Sequence, residues 1–159
     1  MKIFAIDPGC TESAYVIWDA SDKTIYQYGK NSNGEMLNLI SIVPEHVACE
    51  AMVIEQIASY GMAVGAEVFE TCVWTGRFWQ EWKGRVHRIK RMDVKMNLCG
   101  HPRANDSNIR QALIDRFGPV GTKNAPGKLY GVTGDVWAAL AVAVTFADKQ
   151  KIPSAPSKV

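Results

Sequence analysis

Ile3, Phe4, Ala5 and Ile6 form an unbroken apolar run that stops at Asp7-Pro8-Gly9. A run this short and apolar at every position suits a strand buried on both faces, and Pro8-Gly9 breaks its pairing. Ser13 to Ala20 and Thr24 to Gly29 then alternate apolar and polar residues around an Asp-Ala-Ser-Asp-Lys turn, the pattern of a β-meander. Met36, Leu37, Leu39, Ile40 and Val43 recur at helical spacing, and Pro44 is expected to end that helix. Met52 to Ile57 predicts a second buried strand, and 58–65, with Tyr60 and two glycines, a flexible segment. A long helix is expected over 66–82, with Phe69, Val73, Trp74, Phe78 and Trp82 on one broad stripe read as core. Arg85 to Ile89 reads as a short strand and Arg91 to Leu98 as a helical turn. Asn105 to Phe117 reads as an amphipathic helix, opened by Asn105-Asp106-Ser107 and stopped by Gly118-Pro119. After a Gly/Pro/Lys loop, Thr133 is placed to cap a last helix, Gly134 to Asp148, so apolar between Val136 and Ala147 that it should lie on the sheet. The tail from Lys149 to Val159, with Pro153 and Pro156, is expected to be flexible.

Composition narrows this picture without redirecting it. A chain of 159 residues with 47% hydrophobic and 21% charged residues is that of one globular domain with a real core, here residues 1–148. The formal net charge is +2, so affinity for nucleic acid must come from a local basic face. No apolar stretch reaches membrane-spanning length and no secretory cleavage pattern follows Met1, which leads to the expectation of a cytoplasmic protein. Cys10, Cys49, Cys72 and Cys99 are widely scattered, and Cys99-Gly100-His101 lacks the further ligands of a zinc site.

Two residues break the apolar pattern in a way that calls for chemistry. Asp7 ends the first strand, and Glu55 stands inside the otherwise apolar Met52-Val53-Ile54-Glu55-Gln56-Ile57. A buried carboxylate needs a metal, a cation or several N–H groups to answer it. Taken alone, Asp7 in an Asp-Pro-Gly turn reads more readily as a cap on its own backbone than as a catalytic group, and only partners elsewhere in the chain overturn that reading. A third acid, Asp135, lies at the start of the last helix, where the positive helix end favours it.

The element order β-β-β-α-β-α-β-α-α, with acids on the first strand, the fourth strand and the last helix, resembles the ribonuclease H-like superfamily. Within it the chain resembles the RuvC family of Holliday-junction resolvases, particularly the short versions encoded by phages. Ile6-Asp7-Pro8-Gly9 looks like the family's opening motif and Ile54-Glu55-Gln56 like its second acidic motif. Val94-Lys95, Gly100 and Ala104-Asn105-Asp106-Ser107-Asn108-Ile109 are similar to its basic stretch and following helix, and Ala138 to Thr145 to its final helix. The likeness runs from Lys2 to Thr145 with two departures. Ala138 occupies the place of a second acid on the last helix, leaving three acids, and Asp106 stands where many members carry a lysine.

The resemblance implies a mixed five-stranded sheet, three strands antiparallel and then parallel, flanked by helices. It also implies a metal-dependent endonuclease that nicks Holliday junctions and other branched DNA. Two Mg²⁺ ions, about 3.5–4 Å apart, activate a water and neutralise the charge that develops on phosphorus; Mn²⁺ is the alternative ion. Magnesium prefers the hard oxygens of Asp and Glu. Asp7 would bridge the ions, Glu55 would hold one and Asp135 the other. DNA would be held by Arg88, Arg91 and Lys95, with phosphate contacts moved to Arg103, Arg110 or the loop of Lys123 and Lys128, while Arg77 and Lys83 read as a solvated face. Tyr60 is either a base-stacking aromatic or an ordinary surface tyrosine. Because a four-way junction is two-fold symmetric, two matched nicks imply a homodimer, to which the helix over 66–82 would contribute.

Other readings remain at this stage: a broad debranching nuclease acting on forks, flaps and three-way junctions, a ribonuclease H, and a junction-binding protein with impaired cleavage. An ATP-binding domain of the actin and sugar-kinase type also begins with an Asp on its first strand, but it needs a duplicated domain for which 159 residues leave no room.

Overall fold

Side-chain alternation along the strands, rather than any single contact, decides which face of this protein carries chemistry. The computed structural model describes residues 1–151, and its elements run β1 (Lys2–Asp7), β2 (Glu12–Asp19), β3 (Thr24–Ser32), α1 (Asn33–His46), β4 (Ala51–Gln56), α2 (Ala66–Glu81), β5 (Val86–Lys90), α3 (Arg91–Cys99), α4 (Asp106–Phe117) and α5 (Val136–Lys151). One five-stranded sheet has the order β3-β2-β1-β4-β5. β1, β2 and β3 pair antiparallel, whereas β4 joins β1, and β5 joins β4, in parallel. This is the mixed sheet expected from the sequence.

Successive side chains of a strand point to opposite faces. Ile3 and Ala5 of β1, and Ala51 and Val53 of β4, therefore pack under α5 in one core. Phe4 and Ile6, with Met52 and Ile54, point the other way, towards α1 and α2. Asp7 and Glu55 continue the first series, so both belong to the α5 face. The parallel register pairs Ile6 with Ile54; one step further, Asp7 stands abreast of Glu55.

Helix α5 is apolar on nearly all sides because it is covered on nearly all sides. It rests on β1 and β2, with α3 and α4 packed against it. Eleven consecutive or near-consecutive positions from Val136 to Ala147 are buried. The helix continues to Lys151, three residues past its expected end at Asp148; residues 152–159 lie outside the described part of the chain. It also begins later than expected, and Thr133 is not its cap. The Asp135 carbonyl accepts from the Ala138 and Ala139 N–H groups, so Asp135 itself occupies the capping position.

Two other helices depart from the sequence reading. α1 continues through Pro44 to His46, since a proline in the last turn removes one amide bond without a following turn to disrupt. In α2 only the C-terminal end is core. Phe78 and Trp82 are buried against Phe4, but Phe69 is 63% and Val73 56% exposed. The first half of the aromatic stripe is thus largely exposed, while Trp74 packs partly against the core.

The loop after Asp7 is fixed by a buried polar network. Gly9 N–H donates to Ser13 Oγ (3.1 Å), Ser13 Oγ–H to Asn33 Oδ1 (2.6 Å), and Asn33 Nδ2–H back to the Gly9 carbonyl (2.9 Å). Ser13 and Asn33 are each 1% exposed. A Cβ at Gly9 would lie 2.2 Å from the Glu12 carbonyl oxygen, so glycine is required there for space. The start of α1, secured by a reciprocal Ser32–Glu35 capping box, therefore clamps the turn that follows Asp7. Replacing Asn33 by Ala leaves the Ser13 hydroxyl and the Gly9 carbonyl short of partners in the interior. The expected cost is about 2 kcal/mol, read as a lower urea midpoint at unchanged slope; an unchanged midpoint would show that the clamp is dispensable.

Candidate active site

Asp7 and Glu55 meet where β1 and β4 end side by side. Burial, the neighbouring Glu55 and Asp135, and Asp106 all push the Asp7 carboxyl up to about 7, against the opposing pull of Arg91. Burial likewise raises Glu55, while Arg91 and Lys95 draw it back and Asp106 adds to the rise. Two acids in one poorly solvated place each disfavour the other's charge. The sheet's end is thus an electrostatic well waiting for positive charge.

Two resident cations answer part of it. Arg91, the first residue of α3, holds one guanidinium nitrogen 3.6 Å from Glu55 Oε2 and hydrogen-bonds Asp106 Oδ1 with another. The 3.6 Å separation lies in ion-pair range but is too long for a hydrogen bond, and Glu55 Oε2 is buried without any hydrogen-bond partner. On the other side Lys30 of β3 contacts Asp135 Oδ2 at 2.8 Å and Glu12 at 3.7 Å, and these acids raise its pKa. Asp135 is on the wall between two clefts. One, of 260 Å³, includes Asp7, Pro8, Gly9 and Lys30; the other, of 60 Å³, includes Arg91, Asp106, Trp137 and Ala138.

Asp7, Glu55 and Asp135 therefore gather at one end of the sheet, on the α5 face. As the side chains stand, no three His, Cys, Asp or Glu residues among those described are close enough together to hold an ion. Lys30 engages Asp135, and Arg91 the Glu55 edge. The residues nonetheless fit a hard divalent cation. Their donors are carboxylate oxygens, one of them a buried oxygen with no hydrogen bond, and the raised Asp7 marks a place where added positive charge is favourable.

The residues expected to meet DNA are distributed unevenly. Lys95, one turn after Arg91 on α3, is near enough to Glu55 to be felt by it. Arg91 is not on an open basic surface; its guanidinium is engaged by two acids. Arg88 alternates onto the opposite, α2 face, with its guanidinium 4.8 Å from the Trp79 ring. Arg103 lines a different, 480 Å³ cleft beside Cys99 and His101. Tyr60 is 62% exposed on the segment after β4. Lys30 and the Arg91–Asp106 pair are absent from the sequence reading. Lys30 reaches Asp135 only through the β2–β3 register, and Asp106 reads in sequence as the opening of a helix.

No protein-family model matches the sequence, and no curated protein is significantly similar to it. Solved structures do share its fold. The RuvC structure of Thermus thermophilus superposes with a TM-score of 0.74 at 20% identity, over 95% of this chain and 96% of that one. T. thermophilus RuvC in complex with a Holliday junction substrate gives 0.70 at 20% identity, over 95% of each chain. The yeast mitochondrial Holliday junction resolvase Ydc2 gives 0.60 at 11% identity, over 91% of this chain and 76% of that one. The fold is accordingly the ribonuclease H-like α/β fold of the RuvC structures. Among the described residues no helix is long and apolar enough to cross a membrane.

The raised Asp7 makes a prediction about stability in the absence of metal. Between its ordinary 3.8 and about 7, native Asp7 keeps a proton that the unfolded chain has released, so stability falls as pH rises through that window. Asp7→Asn removes this loss. In EDTA at pH 8 the variant is expected to be more stable than wild type by up to about 4 kcal/mol, the advantage vanishing near pH 4. Denaturant unfolding at several pH values measures it, and a variant less stable than wild type at pH 8 contradicts the assignment.

Proposed function

We propose that this chain is a divalent-metal-dependent endonuclease that nicks four-way junctions and related branched DNA. The observation that carries the reading is the pairing of Asp7 and Glu55 at the ends of adjacent parallel strands, facing Asp135, in the fold of a protein solved with a Holliday junction substrate. Asp7, Glu55 and Asp135 would hold Mg²⁺ or Mn²⁺. Two such ions, when bound, supply an activated water and neutralise charge on the scissile phosphate. Asp7, which feels both Glu55 and Asp135, would be the ligand common to them. Lys30 orients Asp135, and the Ser13–Asn33 clamp fixes the turn that aims Asp7.

DNA contact falls to the cations around this end of the sheet. Lys95 and Arg91 flank Glu55, and Arg110 lines an adjoining 340 Å³ cleft with Ser107, Thr133 and Trp137. Tyr60, exposed after β4, is available to stack on an unpaired base. Arg88 and Arg103, lying further off, would serve the arms of a branched duplex. The exposed stripe of Phe69, Val73 and Trp79 on α2, with Met62 and Val64 ahead of it, suits burial against a second copy. A homodimer would present two such sites to the two-fold symmetry of a junction.

A second reading, a junction-binding protein that does not cut, is favoured by one observation: Asp135 is engaged by Lys30 and Ala138 offers no fourth carboxylate. A nicking assay on an immobile four-way junction, with and without Mg²⁺, separates the two. Metal-dependent cleavage by wild type, lost by at least 10³-fold in Asp7→Asn with junction binding retained, is expected. Binding without cleavage at any metal concentration selects the second reading. Equal rates on forks, flaps and three-way junctions identify a broad debranching enzyme. Sedimentation at micromolar concentration is expected to give a dimer that Phe69→Asp converts to monomer; a monomeric wild type removes the α2 interface.

A further inference from the structure

The strand order fixes where Arg91 stands. β5 pairs in parallel with β4, with Lys90 opposite Gln56, so the next residue emerges beside the end of β4 where Glu55 lies. Its guanidinium then divides itself unequally. It hydrogen-bonds the exposed Asp106 but only leans on the buried Glu55, at 3.6 Å, leaving Glu55 Oε2 without a hydrogen bond. The side chains of Glu55 and Asp106 are 14% and 88% exposed, so the acid that most needs a cation has the looser hold on this one. Arginine keeps its charge at any physiological pH.

We propose that Arg91 is a displaceable counter-ion of the carboxylate site: it shields Glu55 while no metal is bound, and Asp106 is the acid that receives it when Glu55 takes a divalent ion. The inference rests on the metal-site reading above. A guanidinium and a divalent ion contacting the same carboxylate oxygen repel each other across a space with little water to screen them. Glu55 can therefore coordinate fully only as Arg91 retreats. Room for that retreat exists in the 60 Å³ cleft shared by Arg91, Asp106 and Ala138, where the alanine presents only a methyl group. Asp106, already bonded to the guanidinium, guides the movement. Towards the metal, Arg91 and Asp106 are on this account positioning residues, acting through Glu55.

The test uses Mn²⁺ binding without DNA, followed by electron paramagnetic resonance of the free ion, on folded variants of the full chain. Arg91→Gln is expected to bind Mn²⁺ about tenfold more tightly than wild type, having lost a competing charge. Arg91→Lys, which keeps the charge, is expected to retain the wild-type affinity to within about twofold. Asp106→Asn is expected to weaken binding, because Arg91 then closes fully on Glu55. In an Arg91→Gln background the same Asp106 substitution is expected to weaken binding much less, because only its own longer-range charge at the site is then lost. An Arg91→Gln variant with unchanged or weaker affinity overturns the proposal. So does an Asp106→Asn loss of equal size in both backgrounds, which would mean that Asp106 acts by its own charge. Failure of both wild type and Arg91→Gln to bind Mn²⁺ would instead refute the metal site itself.

Discussion

Two buried carboxylates abreast on neighbouring parallel strands form an arrangement that a folded chain holds with positive charge nearby or with a proton on one of them. The burial of Asp7 and Glu55, with the repulsion of Asp7 by its neighbouring acids added to it, is therefore the constraint around which the rest is built. Arg91 reaches one of the two from α3, and Lys30 secures the third acid from β3. Neither cation comes from an element carrying the acid it serves, so the charge balance exists only in the folded chain.

The scaffold under this pair is rigid where the acids need to be aimed. Strand alternation commits Asp7 and Glu55 to the α5 face together with the apolar residues beneath them, so neither can turn away without exposing core. The turn after Asp7 is tied to the start of α1 by buried hydrogen bonds through Ser13 and Asn33. Chemistry and stability thus share residues in this loop: Gly9 has no room for a side chain and provides both polar groups that the clamp holds.

Much of this was legible in the sequence because the strongest signals are local. The apolar run ending at Asp7, Glu55 within Met52 to Ile57, and the apolar block from Val136 to Ala147 each state burial directly. The family resemblance supplied the strand order that joins them. What stayed hidden depends on register and on neighbours. Lys30 is one polar residue among several on an exposed edge strand until β2 brings it to Asp135. Asp106 looks like a helix opening until α3 and α4 place Arg91 beside it. Phe69 and Val73 lie roughly 180° and 140° around α2 from Phe78, so the expected stripe joined two faces of the helix, of which only that of Phe78 is covered. The period of two that sends Asp7 and Glu55 to the α5 face also sends Arg88 to the other one, beside Trp79.

The alanines of α5 extend the site far beyond its visible edge. Ala139, Ala141, Ala143 and Ala147 are 0–1% exposed, so the height at which the helix rides over the strands is fixed by methyl groups. Asp135 caps that same helix. A single bulkier residue midway along the helix, about two turns from Asp135, would tilt its leading end and shift that carboxylate while the protein remained folded. Natural variation in activity among chains of this fold can accordingly originate in silent-looking interior positions, through a lever arm rather than through the chemistry at its tip.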